Sequence, residues 1–191
     1  MSDSAGDRVH LKVLIRMVNL NGSIVLPGKF LPSAERFGLM PDIDRWVIRQ
    51  VFENFSKYQE SQGGAPLMVT VNVSGPSIHE PELLDFIKQH IDSNQVDPGS
   101  ICLEVSETVA LRNLRQVDAF MRAGRKLGLK FSLNDFGATT NAFNYLKDLP
   151  VDYLKISGAC VREMRTDAMS LVLTESIHRI GKILGKVTVG D

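Results

Sequence analysis

Phe131-Ser132-Leu133-Asn134-Asp135-Phe136-Gly137 is the stretch on which the reading of this chain turns: an apolar run that ends in two polar side chains and a glycine. A strand buried on both faces of a parallel sheet reads as such a short apolar run. Four further runs behave alike. Residues 67–74 carry Asn72, 101–107 carry Glu104 and Glu107, 153–157 carry Lys155 and Ser157, and 187–191 end in Asp191. The segments between them are long enough for helical crossovers. One polar strand end carries little information. Five in series predict a site built from several strands, because parallel α/β sheets gather functional groups at the carboxyl ends of their strands.

Outward from these runs, residues 10–18 read as a first strand and 19–22 as a polar turn. Residues 32–60 are helical in character, with Ile43, Trp46, Val47 and Val51 at helical spacing and Asp42 placed to cap a turn. Residues 81–93 put Leu84, Ile87 and Ile91 on one face. Leu114, Val117 and Met121 describe another amphipathic helix, and 141–147 a short one. In the last helix, 168–184, the pattern turns Leu171, Ile177, Ile180 and Leu184 inward, and Gly185 ends it. The alternation of strand and helix predicts right-handed crossovers and a parallel sheet. A doubly wound open sheet is the competing architecture, but no Gly-rich phosphate loop comes after an early strand. Six strands are legible, against the eight of a closed barrel.

Composition narrows the function. The 191 residues are 43% hydrophobic, enough for a buried core. Lys plus Arg number 22 and Asp plus Glu 22, for a formal net charge of zero. Without a basic stripe, binding of a nucleic-acid polymer through its phosphates is not expected. Cys102 and Cys160 read as reduced, buried cysteines. His10, His79, His90 and His178 share no metal-ligand spacing. Residues 1–7 are Ser-, Asp- and Gly-rich and read, with residue 8, as an unstructured tail rather than a signal peptide. The expected compartment is the cytoplasm, or the cytoplasmic portion of a larger, membrane-linked protein.

Asn72, Glu104, Asn134, Asp135 and Lys155 together make a set of oxygen ligands plus one ammonium. Hard divalent cations such as Mg²⁺ or Mn²⁺ take carboxylate and amide oxygens. Two such ions could drive an in-line phosphoryl displacement, with Lys155 bearing on phosphate or water. Hydrogen-bonded strand ends without chemistry would show the same residue types.

Five motifs in order make the chain resemble the EAL domain family, cyclic di-GMP phosphodiesterases and their degenerate relatives. Val71-Asn72-Val73-Ser74 matches the family's VNxS, and Leu103-Glu104-Val105-Ser106-Glu107 its LExTE. Asn134-Asp135-Phe136-Gly137 matches DDFG, and Leu149-Pro150-Val151-Asp152-Tyr153-Leu154-Lys155-Ile156 matches LPVDYLKI. Phe30-Leu31-Pro32-Ser33-Ala34-Glu35 with Asp44-Arg45-Trp46 matches the first helical region. The resemblance implies an α/β fold: a TIM-like (β/α) barrel of EAL type over residues 9–191. It is expected to be incomplete, with about six of the eight βα repeats present and the first and last strands lacking.

Departures from the family pattern carry as much as the matches. Lys12-Val13-Leu14 stands where the signature reads Glu-Ala-Leu, Asn134 where DDFG begins with Asp, and Ser157 where the family has Asp. Gly190-Asp191 replaces Ala-Glu, and residues 137–142 lose the GTGxSS pattern. A cation ~4 Å from a unit charge costs about 4 kcal/mol at an effective dielectric of 20, and roughly double beside a divalent ion. The resemblance thus implies a dismantled centre. Asn72, Glu104 and Asp135 remain as metal ligands, and Glu104, Asp135 and Lys155 as catalytic remnants. Lys12 is expected to replace a metal structurally by pairing with Glu104 and Asp135. No cofactor is expected, or Mg²⁺ or Mn²⁺ should a metal site survive.

Leu14 and Arg16 match family residues that line the base and contact a ligand phosphate, and Phe30 and Pro32, with Glu35, match the adjacent pocket wall. Arg16 also reads as a surface arginine, and Phe30 as core. Glu107 matches a glutamate that anchors a neighbouring loop, and reads equally as a solvated charge. The implied function is a cyclic di-GMP receptor or regulatory module in bacterial second-messenger signalling, without phosphodiesterase activity. Its other implied partners are domains or proteins of a signalling system, or a second copy of the chain. Two alternatives stand beside it: a protein-interaction module that binds no nucleotide, and an active metal-dependent phosphodiesterase.

Overall fold

The computed structural model describes residues 8–137 and 143–190. The expected tail at residues 1–7, the loop substitutions at 138–142 and Asp191 lie outside the described residues. The chain divides into two compact units, Met1–Cys102 and Leu103–Asp191.

In the N-terminal unit, β1 (Val9–Lys12) leads to a hairpin of β2 (Met17–Val18) and β3 (Ile24–Val25). Residues 10–18 are therefore not one strand. Asn19 reverses the chain, its Oδ1 accepting from the backbone N–H groups of Asn21 and Ser23 at 3.1 and 3.0 Å. The long helical stretch is three helices: α1 (Pro27–Arg36), α2 (Met40–Glu53) and α3 (Phe55–Ser61). Gly38 makes the first break at φ +68°, which costs a residue without a Cβ little. Around it Leu39 N–H reaches the Ala34 carbonyl and Gly38 N–H that of Glu35. This paired closure satisfies carbonyls the helix end would leave open.

After α3 come β4 (Leu67–Asn72), α4 (Gly75–Ile78) and α5 (Leu83–Asn94). β4 pairs with β1 in parallel, from Val9 opposite Leu67 to Lys12 opposite Thr70. Five successive β4 residues are buried and Asn72 is exposed, so the strand is buried along its length and open to solvent only at its end. Trp46 departs from its periodicity and is 51% exposed, whereas Val47, Ile48 and Val51 face the core. On α5 the buried face is Leu83, Ile87 and Ile91, one position from the expected Leu84 at its start.

Around the C-terminal unit run β5 (Ile101–Ser106), α6 (Glu107–Arg112), α7 (Leu114–Lys126), β6 (Lys130–Phe136), α8 (Phe143–Leu146), β7 (Tyr153–Ile156), α9 (Gly158–Glu163), α10 (Ala168–Ile183) and β8 (Val187–Gly190). The strands lie in the order β5-β6-β7-β8, with β6–β7 and β7–β8 parallel. Of the last helix's expected inward face, Ile177 is fully buried while Leu171 and Leu184 are each 37% exposed. Gly185 ends α10 at φ +68°, as its position predicts. Among the described residues no helix is long and apolar enough to cross a membrane.

α7 packs against β6 at Gly124. A Cβ there would lie 2.5 Å from Cζ and 3.0 Å from Cε2 of Phe131, whose side chain is fully buried. Overpacking costs about 1–3 kcal/mol, against roughly 1 kcal/mol of helix propensity gained from alanine. Gly124→Ala is expected to lower stability by a net of about 1 kcal/mol, read as a lower midpoint in urea. An unchanged or raised midpoint would show that the Phe131 ring can move aside.

Candidate functional site

Parallel pairing places the polar strand ends of each unit at one end of its strands. In the N-terminal unit these are Lys12, the last residue of β1, and Asn72, the last of β4. Both are exposed, and Val13 N–H closes the ladder on the Thr70 carbonyl at 3.0 Å. Leu14 and Arg16 lie in the exposed link to the hairpin, where the Arg16 guanidinium donates to the adjacent Ile15 carbonyl at 2.9 Å. On α1, Phe30 is half-buried and Pro32 and Glu35 are exposed. Pro32 lies inside that helix.

The C-terminal unit holds a charged pair within its apolar interior. Glu104, fourth residue of β5, is 1% exposed. The Lys155 ammonium on β7 lies 2.7 Å from its Oε2. The two long side chains thus meet away from water. Such a pair gives little net stability, but removing one partner is costly, since a charge stays buried without its counterion.

Asn134 and Asp135 sit on a distortion that the sequence reading missed. Leu133 of β6 pairs with Leu154 of β7, yet the next pair is Phe136 with Ile156. β6 thus carries one residue more than β7 over this span, which is a β-bulge. Asp135 takes φ +55°, a left-handed conformation that aspartate tolerates better than most residues. Bulges of this kind re-aim side chains at strand ends. Here Asp135 is exposed and receives the Asn134 amide on its Oδ2 at 3.2 Å. The Asn134 Oδ1 is buried and has no donor among the described residues. The sequence signal for the bulge was two polar residues interrupting the alternation just before Phe136-Gly137.

Glu107 is no solvated charge. It is 1% exposed at the start of α6, and its Oε1 accepts the Tyr145 hydroxyl of α8 at 2.8 Å. Burial, and then the hydrogen bond to Glu107, hold the Tyr145 phenol far above its ordinary pKa. Ser157 is buried, and its N–H reaches the Phe136 carbonyl at 3.0 Å.

The residues present fit a pair of divalent metals poorly. Asn134 offers a neutral oxygen, and the Lys155 ammonium already holds one oxygen of Glu104. Among the described residues no group of three or more His, Cys, Asp or Glu side chains is arranged to hold a metal ion.

Comparison with known proteins places the chain. It is 33% identical over 188 residues to the cyclic di-GMP phosphodiesterase PdeB of Shewanella oneidensis, covering 98% of this chain and 22% of PdeB. The chain spans between 22% and 28% of the length of the curated relatives it matches. Among solved structures, the FimX EAL domain of Pseudomonas aeruginosa bound to c-di-GMP superposes with a TM-score of 0.89 at 24% identity, covering 98% of this chain and 74% of that one. The PaMucR phosphodiesterase in its c-di-GMP complex gives 0.85 at 25% identity, covering 94% and 72%. The fold class is the EAL-type TIM-like (β/α) barrel, with six of its strands, β1 and β4–β8, among the described residues. The family's sequence model matches residues 1–191, and the chain belongs to the EAL domain family.

Proposed function

We propose that this chain is a degenerate EAL domain that serves as a cyclic di-GMP receptor or regulatory module in bacterial signalling, without phosphodiesterase activity. The observation that carries the reading is Lys12, an ammonium at the end of β1 beside the β4 strand that ends in Asn72. It stands where the family signature has a carboxylate. Asn134 weakens the donor set again by removing a negative charge, so the two positions together attract a divalent cation less than two carboxylates would. The ligand is suggested by PdeB, named a cyclic di-GMP phosphodiesterase, and by PaMucR, solved with c-di-GMP. Binding asks less of a site than catalysis: Arg16 to meet a phosphate, Leu14 and Phe30 to meet a base, and Pro32 beside them. Ligand binding would then act by favouring one set of contacts with a partner over another.

The test is calorimetric titration of cyclic di-GMP with chelator present, repeated with Arg16→Ala. Saturable heat is expected, with affinity about tenfold weaker in the variant, the size of one charge-assisted hydrogen bond. With Mg²⁺ or Mn²⁺ no linear dinucleotide is expected. Turnover that Glu104→Ala abolishes would overturn the proposal in favour of an active enzyme.

A second reading, a protein-interaction module without nucleotide, is favoured by the hairpin. Val18 and Ile24 pair across it and are 65% and 68% exposed, and Leu20 and Leu26 flank them in the open. Apolar clusters of this kind mark interaction sites. Absence of heat at high nucleotide concentration would select this reading.

A further inference from the structure

β4 runs past its partner. Its register with β1 stops at Lys12 opposite Thr70, and Val13 N–H takes the Thr70 carbonyl. Asn72 lies two residues beyond that last pair, so on the β1 side its course depends on how residues 73–78 are held.

Those residues are tied into a knot of hydrogen bonds around one buried carboxylate. Asp44 lies on α2 and is 6% exposed. Its Oδ2 accepts the Ser74 backbone N–H at 2.8 Å and the Ser77 hydroxyl at 2.6 Å. Ser74 caps α4, its Oγ accepting Ser77 N–H at 3.4 Å and lying 3.0 Å from the Ser77 Oγ. Ser77 is fully buried. Burial raises the Asp44 pKa while the two serines lower it. A carboxylate is a costly way to fill an interior position. The compensation is that one oxygen holds two donors in fixed directions, with bonds stronger than a neutral acceptor makes.

We infer that Asp44 is a positioning residue for Asn72, acting through Ser74 and Ser77 to fix the end of β4 and hence how Asn72 is presented to ligand. The inference rests on the proposed reading that this chain binds cyclic di-GMP, and adds to it that Asn72, exposed at the end of β4, meets the ligand. Asp44 is buried, and its Oδ2 is taken by donors of the chain itself. It belongs to a helix that packs behind the strand, and its effect runs through the backbone between residues 72 and 74.

Two measurements test it. The first is a double-mutant cycle read as cyclic di-GMP affinity, at a temperature where circular dichroism shows every variant folded. Asp44→Ala is expected to weaken binding about tenfold, and Asp44→Asn only about two- to threefold, because the amide oxygen keeps an acceptor. In an Asn72→Ala background, Asp44→Ala is expected to change affinity by less than about twofold, the non-additivity of two residues acting as one. Equal losses in both backgrounds would overturn the inference, since a general loss of stability adds to the loss of Asn72.

The second measurement is amide hydrogen exchange without ligand. The Ser74 amide is expected to lose about tenfold of its protection in Asp44→Ala, while Val69, in the middle of β4, changes less than about twofold. Uniform loss across β4 would overturn the inference. Should the wild-type chain bind no cyclic di-GMP, the ligand reading fails, and exchange at Ser74 alone decides whether Asp44 fixes the strand end. Should Asp44→Ala not fold, Asp44→Asn carries both measurements at its smaller expected size.

Discussion

Lys155→Met is expected to lower the free energy of unfolding by about 3–5 kcal/mol, the cost of leaving a buried charge without its counterion. Glu104 is 1% exposed and lies within the strand that opens the C-terminal unit, so water cannot replace the ammonium 2.7 Å away. Lysine carries its charge on a flexible stem, and methionine fills much of the same volume without it. The change therefore isolates the charge from the packing. Lys155→Met combined with Glu104→Gln is expected to be less destabilised than Lys155→Met alone, because the second substitution removes the stranded charge. Urea denaturation of the wild type, both single variants and the double variant measures this directly. A double variant no more stable than Lys155→Met would mean that the pair does not hold the strands in the way its geometry indicates. The pair also bears on function. The contact leaves Glu104 Oε1 and the remaining N–H donors of Lys155 outside the pair.

Tyr145→Phe is expected to cost about 1–3 kcal/mol at neutral pH, since it removes a hydroxyl that Glu107 Oε1 accepts in a buried site. Its signature is the pH dependence. The folded state holds the Tyr145 proton more tightly than the unfolded chain, whose phenol titrates near 10. The native state thus binds more protons above that pH. The stabilisation is fully present below about pH 10 and is lost as pH rises further, at up to about 1.4 kcal/mol per pH unit. Phenylalanine has no proton to lose, so the gap between wild type and variant should narrow above about pH 10. Denaturation midpoints of both proteins from about pH 8 to about pH 11 read the effect. Parallel curves would show that the phenol titrates no differently in the folded chain.

The strand series was legible because each strand is both apolar and short. Residues 67–71, 101–105 and 131–133 are buried without a break, and a run with so few polar interruptions has few other ways to be satisfied. Gly185 was legible for a similar reason: its left-handed turn is a local demand on one residue. The three-way division of the first helical stretch was only partly legible, through Gly38, because the helical pattern runs on across the break at Asn54 and Pro32 sits inside α1 rather than at its start. Trp46, Leu171 and Leu184 were misplaced because periodicity shows which residues share a face, not how much of that face another element covers.

At the site the same division holds. The residue types and their order along the chain determined the family, and they mark the strand ends and the departures at Lys12, Asn134 and Ser157 on which the proposal rests. These are properties of the sequence alone, since a carboxylate replaced by an ammonium or an amide is changed chemistry wherever it lies. Only the tertiary structure decided that Glu107 is buried against Tyr145, that Glu104 is held by Lys155, that Asn134 and Asp135 ride on a bulge, and that Asp44 grips the end of β4. The contacts of Glu107, Glu104 and Asp44 depend on residues between about 30 and 51 positions apart meeting in a dry interior, and the bulge on a register slip between two strands. Desolvation and hydrogen-bond direction come into being only there, when the chain has closed around them.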